Sequence, residues 1–553
     1  MRILAFAVFV TLLSVTGRLD WPTYGFTYQN TRHVDADQIN AANVARLRPV
    51  WRFILGPHER VETTPIVLAG TMYVTTGLGN NVIALDAKTG RQKWRYRPSL
   101  GFLSICCGAI NRGVAVGAGR VFVGTLDGQL IALRAASGTP LWHVHVGDST
   151  RGFSETMAPL FWKGTVFIGS SGGDNGIRGS VTAYRASDGK RLWRWYAVSP
   201  GWEGAYTAQV HGLSLHRDIE REKRDAMKYG NAWAHGGGAT WITPALDPRS
   251  GVLYAATSNP APVFDGSARP GDNLYTDSVV ALDARSGKMR WHYQVTPHDV
   301  WEYEPSSPPV LFDALDRHGK RIPAVGEAGK TRWFYILNRR DGALLRLSES
   351  LGANAHLYND PPAGEHRGPL PLRGSIGPIA YEPMQHLALI TAIDRSVPDR
   401  WREFIAAINV DTGKKQWQKM LTPAHADFMG DRLLAGSLSA GNLVFVGSVD
   451  GTLFALNSTD GSVLWRYALG SGEKNDSARN PLMRWLHTVH DWLLPVKRQL
   501  LRQDPPTADA ANVDVNPIAY ELDGRQYIAI GYDAQPEKAV GGAILSAFAL
   551  SGP

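Results

Sequence analysis

Along most of the chain a run of apolar residues leads into a tight turn closed by glycine, and a tryptophan follows four residues later. Val82 to Asp86, Gly90 and Trp94 state the pattern. It returns at Ile131, Gly138 and Trp142, at Val181, Gly189 and Trp193, at Val280, Gly287 and Trp291, at Ile405, Gly413 and Trp417, and at Leu453, Gly461 and Trp465. One further copy, from Phe334 to Gly342, has Arg346 where the tryptophan would stand. Shorter alternating runs between the copies, such as Gly119 to Gly124 and Gly441 to Gly447, read as strands between glycine turns. A period of about 40 to 50 residues built of short strands is the mark of propeller blades, because one small sheet cannot bury both of its faces and radial stacking can.

Seven copies are visible, and the two ends of the chain supply an eighth. Leu47 to Phe53, with Trp51, matches the tryptophan-bearing outer strand without the strands before it. Ile518 to Tyr520, Gln526 to Ile530 and Ala543 to Leu550 match inner strands with no tryptophan after them. The expected fold is therefore all-β, an eight-bladed propeller over 18–553 whose ring closes between its N- and C-terminal strands, leaving no exposed sheet edge at the seam. The repeated tryptophans read as structural, each docking one blade on the next.

Two insertions interrupt the period. Residues 201–234 contain the charged segment His216 to Asp225, expected as a solvated helix over one face. Residues 473–511 place Leu482, Trp485, Leu486, Val489, Trp492, Leu493, Val496 and Leu500 at helical spacing beside Lys497, Arg498 and Arg502. Packing on the propeller is the plain role for that amphipathic helix, and peripheral contact with a membrane or partner through 482–502 is the alternative.

Composition narrows the class and the address. The 553 residues include 58 Gly, 18 Trp and 19 Tyr, which excludes disorder and collagen and leaves a turn-rich globular chain. Met1 and Arg2 precede an apolar run from Ile3 to Val15, which reads as a secretory signal over 1–17, shorter than a usual membrane span, with an uncleaved anchor as the alternative because the cleavage site near Val15 to Gly17 is weakly specified. The expected location is periplasmic or secreted. The net charge of +8 is spread along the chain with no long basic run, so acidic partners suit it and nucleic acid does not.

The only two cysteines are neighbours, Cys106 and Cys107, followed by Asn111, Arg112 and Gly113. Adjacent cysteines either close a strained eight-membered ring or pack as two small apolar thiols. A rigid ring beside a fixed cation would suit a flat, anionic ligand. Three more stretches differ from blade scaffolding: Gly169 to Gly179 with Asp174, Thr257 to Pro262 with Asn259, and Thr296 to Glu304 with Asp299 and Glu302. Each sets a carboxylate or amide oxygen in a turn. Oxygens from separate loops are what a hard cation such as calcium needs, and turn capping is the plainer role of each alone.

Taken together, the vicinal cysteines, the Ser171-Gly172-Gly173-Asp174 turn, Asn259 to Pro262, and Thr296 to Glu302 closely resemble the quinoprotein alcohol dehydrogenases, which use pyrroloquinoline quinone (PQQ). The resemblance runs from Asp20 and Trp21 to the last glycine-rich strand. It implies a PQQ- and metal-dependent enzyme that oxidises an alcohol, sugar or polyol to the aldehyde or ketone and passes electrons to an external acceptor, a c-type cytochrome or a quinone. It implies that PQQ lies between a Cys106–Cys107 disulfide and Trp241, with Arg112, Thr156, Ser171, Gly172, Gly173 and Glu62 around its rim. Lys330 would stand beside the quinone carbonyls, Asp174 and Asn259 would hold calcium or a lanthanide with Glu302 and Glu304 as further ligands, and Glu302 would be the base.

The sequence departs from the family in several places. Asp174 stands where glutamate is usual, and Glu302 where the base is usually aspartate. Asp394 and Phe428 stand near the places of a tryptophan and an asparagine on later blades without matching them. No Cys-x-x-Cys-His is present, so the fused haem domain of some members is absent from this sequence. The alternatives are a PQQ-binding pseudoenzyme, motivated by the changed acids, and a non-catalytic propeller scaffold of the outer-membrane assembly type.

Overall fold

The computed structural model describes residues 18–57, 61–106, 108–352, 358, 376–394, 400–425, 434–469, 513, 515–534 and 542–551. The expected signal segment, the helical insertion at 473–511, Cys107 and Phe428 lie outside them. The described chain forms eight blade-like sheets. In blade 1, strands Ile66–Leu68, Thr71–Thr75, Val82–Asp86 and Gln92–Tyr96 run antiparallel from the inside outward. Blade 2 spans Ala115 to His145, blade 3 Leu160 to Tyr196, blade 4 Ala245 to Gln294, blade 5 Val310 to Leu347, blade 6 Ala380 to Met420 and blade 7 Ser437 to Ala468. The expected eight-bladed, all-β architecture is the one observed.

The apolar runs form the third strand of each blade because both of its faces are covered; in Val82–Asp86 only the last residue is not buried. The fourth strand has one free edge, and Gln92–Tyr96 is accordingly half-exposed. Across the third and fourth strands, Ala84 pairs with Trp94, Ala183 with Trp193, Ala281 with Trp291, Ala407 with Trp417 and Ala455 with Trp465, each next to a β-bulge. A small residue opposite the indole leaves it room on the shared face of the sheet.

Each indole then reaches the next blade. Trp94 Nε1 donates to Ala135 O at 2.9 Å, Trp193 to Ala284 O at 3.1 Å and Trp417 to Ser458 O at 3.0 Å, three residues before the turn glycine in every case. The ring itself lies on that glycine, so that a Cβ at Gly138, Gly287 or Gly461 would fall 2.5 Å from a ring carbon. In blade 5, where Ile336 replaces the small partner, Arg346 takes over the polar half of the contact and donates to Asp411 O.

The ring closes as expected. Leu47–Pro57 is the outer strand of blade 8 and pairs antiparallel with Gly542–Leu550, which continues through Arg525–Ala534 to Ile518–Leu522. Trp51 stands opposite Ala547 and lies over Gly90 of blade 1. One strand was not expected: His33–Val34 adds in parallel to Ser439–Ala440 of blade 7.

The insertion after blade 3 differs from expectation. Its helix covers only Ile219–Asp225, capped by Asp218, and is preceded by a small hairpin of Gln209–Val210 and Leu213–Ser214. It is not simply solvated. Arg217 is turned inward, its side chain 3% exposed, between Glu222 and Asp272 at 2.6 Å each. Among the described residues, no helix is long and apolar enough to cross a membrane.

The tryptophan-on-glycine contact sets a stability test. Gly287 has φ +72° as well as the Trp193 ring above it, so Gly287→Ala meets both backbone strain and overpacking. A loss of about 2–4 kcal/mol is expected, read as a lower melting temperature, and an unchanged melt would show that the seam gives way without cost.

Candidate active site

Polar side chains from several loops line an open pocket whose empty space, continuous with solvent, is about 740 Å³. Its walls follow the fold's period. Ser154 and Thr156, Ala239 and Trp241, and Glu302 and Glu304 lie in the connections that enter blades 3, 4 and 5. Ser171 to Asp174, Ser258 and Asn259, and Lys330 lie in the loops after the second strands of those same blades. Glu62 and Arg112 enter blades 1 and 2 in the same way. Successive blades therefore deliver the separate motifs to one place.

One wall is cationic and rich in donors. Arg112 Nη2 pairs with Glu62 Oε2 at 3.0 Å, and both side chains are buried. Arg112 Nη1 donates to Thr156 Oγ1 at 2.8 Å, and Thr156 Oγ1 meets Ser171 Oγ at 2.7 Å. The guanidinium carbon lies 4.6 Å from the centre of the Trp241 ring, and the buried Arg112 Nε has no hydrogen-bond partner among the described residues. A flat ligand stacked on Trp241 must share or displace that cation–π contact. A buried, unanswered guanidinium N–H is well suited to a carboxylate on such a ligand.

The opposite wall is acidic. Lys330 Nζ sits 3.0 Å from Glu302 Oε1 and 3.1 Å from Glu304 Oε1. Glu304 Oε2 in turn accepts from Trp241 Nε1 and from the Asn259 backbone N–H, each at 3.4 Å. Asn259 Nδ2 donates to Asp174 Oδ1 at 3.0 Å, and the Cys106 thiol lies 3.2 Å from Asp174 Oδ2. Glu302 is held at φ +66° by a turn in which Asp299 accepts from Trp301 N at 2.8 Å and Tyr303 N at 2.7 Å. Asp299 is thus a turn-capping acid.

Two carboxylates, Glu302 and Glu304, flank a single ammonium, and a third, Asp174, lies near enough to act on Glu304. Burial, with Glu302 and Asp174 adding to it against the pull of Lys330, pushes the Glu304 carboxyl up to about 7. Burial alone works against the Lys330 charge, but the two glutamates outweigh it and hold Lys330 well above the usual lysine range. The cluster is short of positive charge, and a cation with two or three charges would answer it. Among the described residues, no three His, Cys, Asp or Glu side chains by themselves form a cation cage.

The sequence-predicted residues Glu62, Cys106, Arg112, Thr156, Ser171, Gly172, Gly173, Asp174, Trp241, Asn259, Glu302, Glu304 and Lys330 all line this pocket. Cys107, and with it the expected bridge, lies outside the described residues. Asp394 is not in the pocket; it pairs with Arg402 at 2.5 Å in blade 6. Sequence reasoning missed Ser104, Ile110, Leu126, Ser154, Ala239 and Ser258 as pocket walls. Most of these sit one to three residues from a named motif, which was the available signal.

Fold and pocket together define a β-propeller whose loops from successive blades build one polar, charged pocket. The chain matches the family model described as glucose/ethanol/alcohol dehydrogenase, β-propeller domain, over residues 21–349. It belongs to that family. It is 35% identical to a quinohemoprotein alcohol dehydrogenase of Comamonas testosteroni, covering 82% of this chain and 70% of that one. It is 32% identical to a lanthanide-dependent methanol dehydrogenase of Methylacidiphilum fumariolicum, covering 82% and 81%. The fold superposes on a europium-containing methanol dehydrogenase with a TM-score of 0.72 at 26% identity, over 96% of this chain and 98% of that one. A second family model, outer membrane protein assembly factor BamB, matches only 402–493.

The raised Glu304 carboxyl carries a sign. A buried acid whose folded pKa lies above its unfolded value near 4.5 costs nothing at pH 4 and progressively more as the pH rises to 7. Metal-free Glu304→Gln should therefore melt above the parent at pH 8, by up to about 3 kcal/mol, with the gap closing towards pH 4.5. A difference independent of pH would remove Glu304 as its source.

Proposed function

We propose that Glu302 is the base with which this chain, a PQQ- and metal-dependent alcohol dehydrogenase, takes the hydroxyl proton from its substrate. The observation that carries the assignment is the cluster in which Glu302 and Glu304 flank Lys330 opposite Asp174 and Asn259. Bound PQQ supplies the electron sink and the metal ion supplies Lewis-acid polarisation. Arg112, with Thr156 and Ser171 behind it, holds the cofactor's carboxylates, and Trp241 supports one face of its ring. A bridge between Cys106 and Cys107 would cover the other face. Asp174, Asn259 and Glu304 hold the cation, and Glu304, the extra acid, suits a lanthanide at least as well as calcium.

Lys330 acts as the fixed donor. Pinned between two carboxylates, it needs no reorganisation to meet negative charge developing at the reacting oxygen. The strained backbone at Glu302 keeps its carboxylate aimed into the pocket without a flexible search. Removal of two electrons and two protons from the carbinol yields the aldehyde or ketone, and the electrons leave to an acceptor outside this sequence, a c-type cytochrome or a quinone. Periplasmic or secreted placement fits the apolar leader at 1–17.

The test is reconstitution of the purified protein with PQQ and either calcium or a light lanthanide, followed by dye-linked oxidation across a panel of alcohols. Glu302→Gln should lower kcat by about 10²–10⁴-fold while the cofactor's absorbance shows it still bound. Parent-like turnover in that variant would rule Glu302 out as the base. Cofactor binding without turnover of any alcohol by the parent protein would make it a pseudoenzyme.

A further inference from the structure

Behind the acidic wall lies Arg269, which the chemistry so far does not use. It is fully buried and does not line the pocket. Its guanidinium joins two loops that do carry them. Nε donates to Pro262 O at 2.9 Å and Nη2 to Val263 O at 3.1 Å, on the loop that begins with Asn259. Nη2 also donates to Asp299 O at 2.6 Å, on the turn that presents Glu302. Nη1 is fixed by Asn273 Oδ1 at 2.7 Å, and Asn273 Nδ2 returns a bond to Arg269 O at 2.7 Å.

Asn259 stands three residues before the first of these carbonyls, and Glu302 three residues after the last. We propose that Arg269 is a positioning residue that sets the separation between the metal-side loop and the base-bearing turn. The planar fork is what suits it to this: donors at fixed angles reach carbonyls on two loops at once, which a single amine on a flexible stem does not do. Asp299 makes the brace two-sided, because its carbonyl is held by Arg269 while its carboxylate caps Trp301 and Tyr303. The insertion after blade 3 anchors the Arg269 loop from outside. Arg217 and the Thr207 hydroxyl both bind Asp272, and Glu222 Oε2 accepts from Gly271 N at 3.2 Å. The charged insertion therefore bears on the geometry of the reaction without reaching the pocket.

The proposal rests on the reading of Asn259 as a metal ligand and Glu302 as the base, and its test separates the two. Arg269→Lys keeps the charge and removes the fork. With PQQ-loaded, metal-free protein titrated with calcium or lanthanum ions in a calorimeter, affinity should fall by about 10–100-fold. In the reconstituted enzyme kcat should fall by about 10²-fold, with KM for the alcohol and the affinity for PQQ little changed. A purely structural role would lower the melting temperature and leave these ratios alone. If Arg269→Lys does not fold, Asn273→Gly releases the guanidinium from its side-chain anchor at a position whose φ of +60° glycine accepts; a roughly tenfold change in the same two quantities is expected. Metal affinity and kcat within twofold of the parent, in whichever variant folds, would overturn the proposal. The metal titration needs no turnover, so it decides Arg269 even if Glu302→Gln retains activity.

Discussion

An indole laid on the glycine of the next blade, with its N–H bonded to a carbonyl three residues earlier, sets the angle between neighbouring sheets. The contact has no slack, since even a methyl group on Gly138 or Gly287 would enter the ring. Once that angle is fixed around the ring, the inner ends of the blades are fixed too. The pocket exists because the loops entering and leaving the second strands of successive blades are brought to one place. Its residues have no local reason to meet. Glu62 and Lys330 are far apart in the chain and share a cavity only because the seams between them repeat.

The acidic wall shows what such a scaffold can hold. Packing two glutamates around one buried lysine, with an aspartate nearby, is costly in a medium that screens poorly. A flexible loop would relax out of the arrangement. Here the opposing carboxylates sit on different blades or on a capped turn, so separating them would mean breaking indole seams or the Asp299 cap. Under the proposed reading, that electrostatic imbalance becomes affinity for a cation.

Much of this was legible in the sequence because the blade repeat is local. Alanine opposite tryptophan, glycine in the turn and the apolar third strand all lie within some fifteen residues of one another, and the ring closure followed from an incomplete copy at each end. The pocket residues were legible through motif resemblance, and they proved to share one cavity. What was not legible depends on distant partners. The charged segment at 216–225 reads as solvated because nothing near it reveals that Arg217 meets Asp272, 55 positions later. His33–Val34 is too short to show any periodicity. The stacking of Arg112 on Trp241 and the pinning of Lys330 between Glu302 and Glu304 belong to tertiary geometry, as does the capping role of Asp299, which as a type of residue was equally suited to a metal.

The strand that closes the ring has a consequence in time. Leu47–Pro57 is synthesised long before its partner Gly542–Leu550. It must wait for nearly the whole chain with an unpaired edge, a topology of high contact order and slow completion. Every assigned pocket residue, ending with Lys330, emerges well before that partner does. The cavity's walls can thus be made in order, blade by blade, but their final spacing is locked only when these two distant strands find each other.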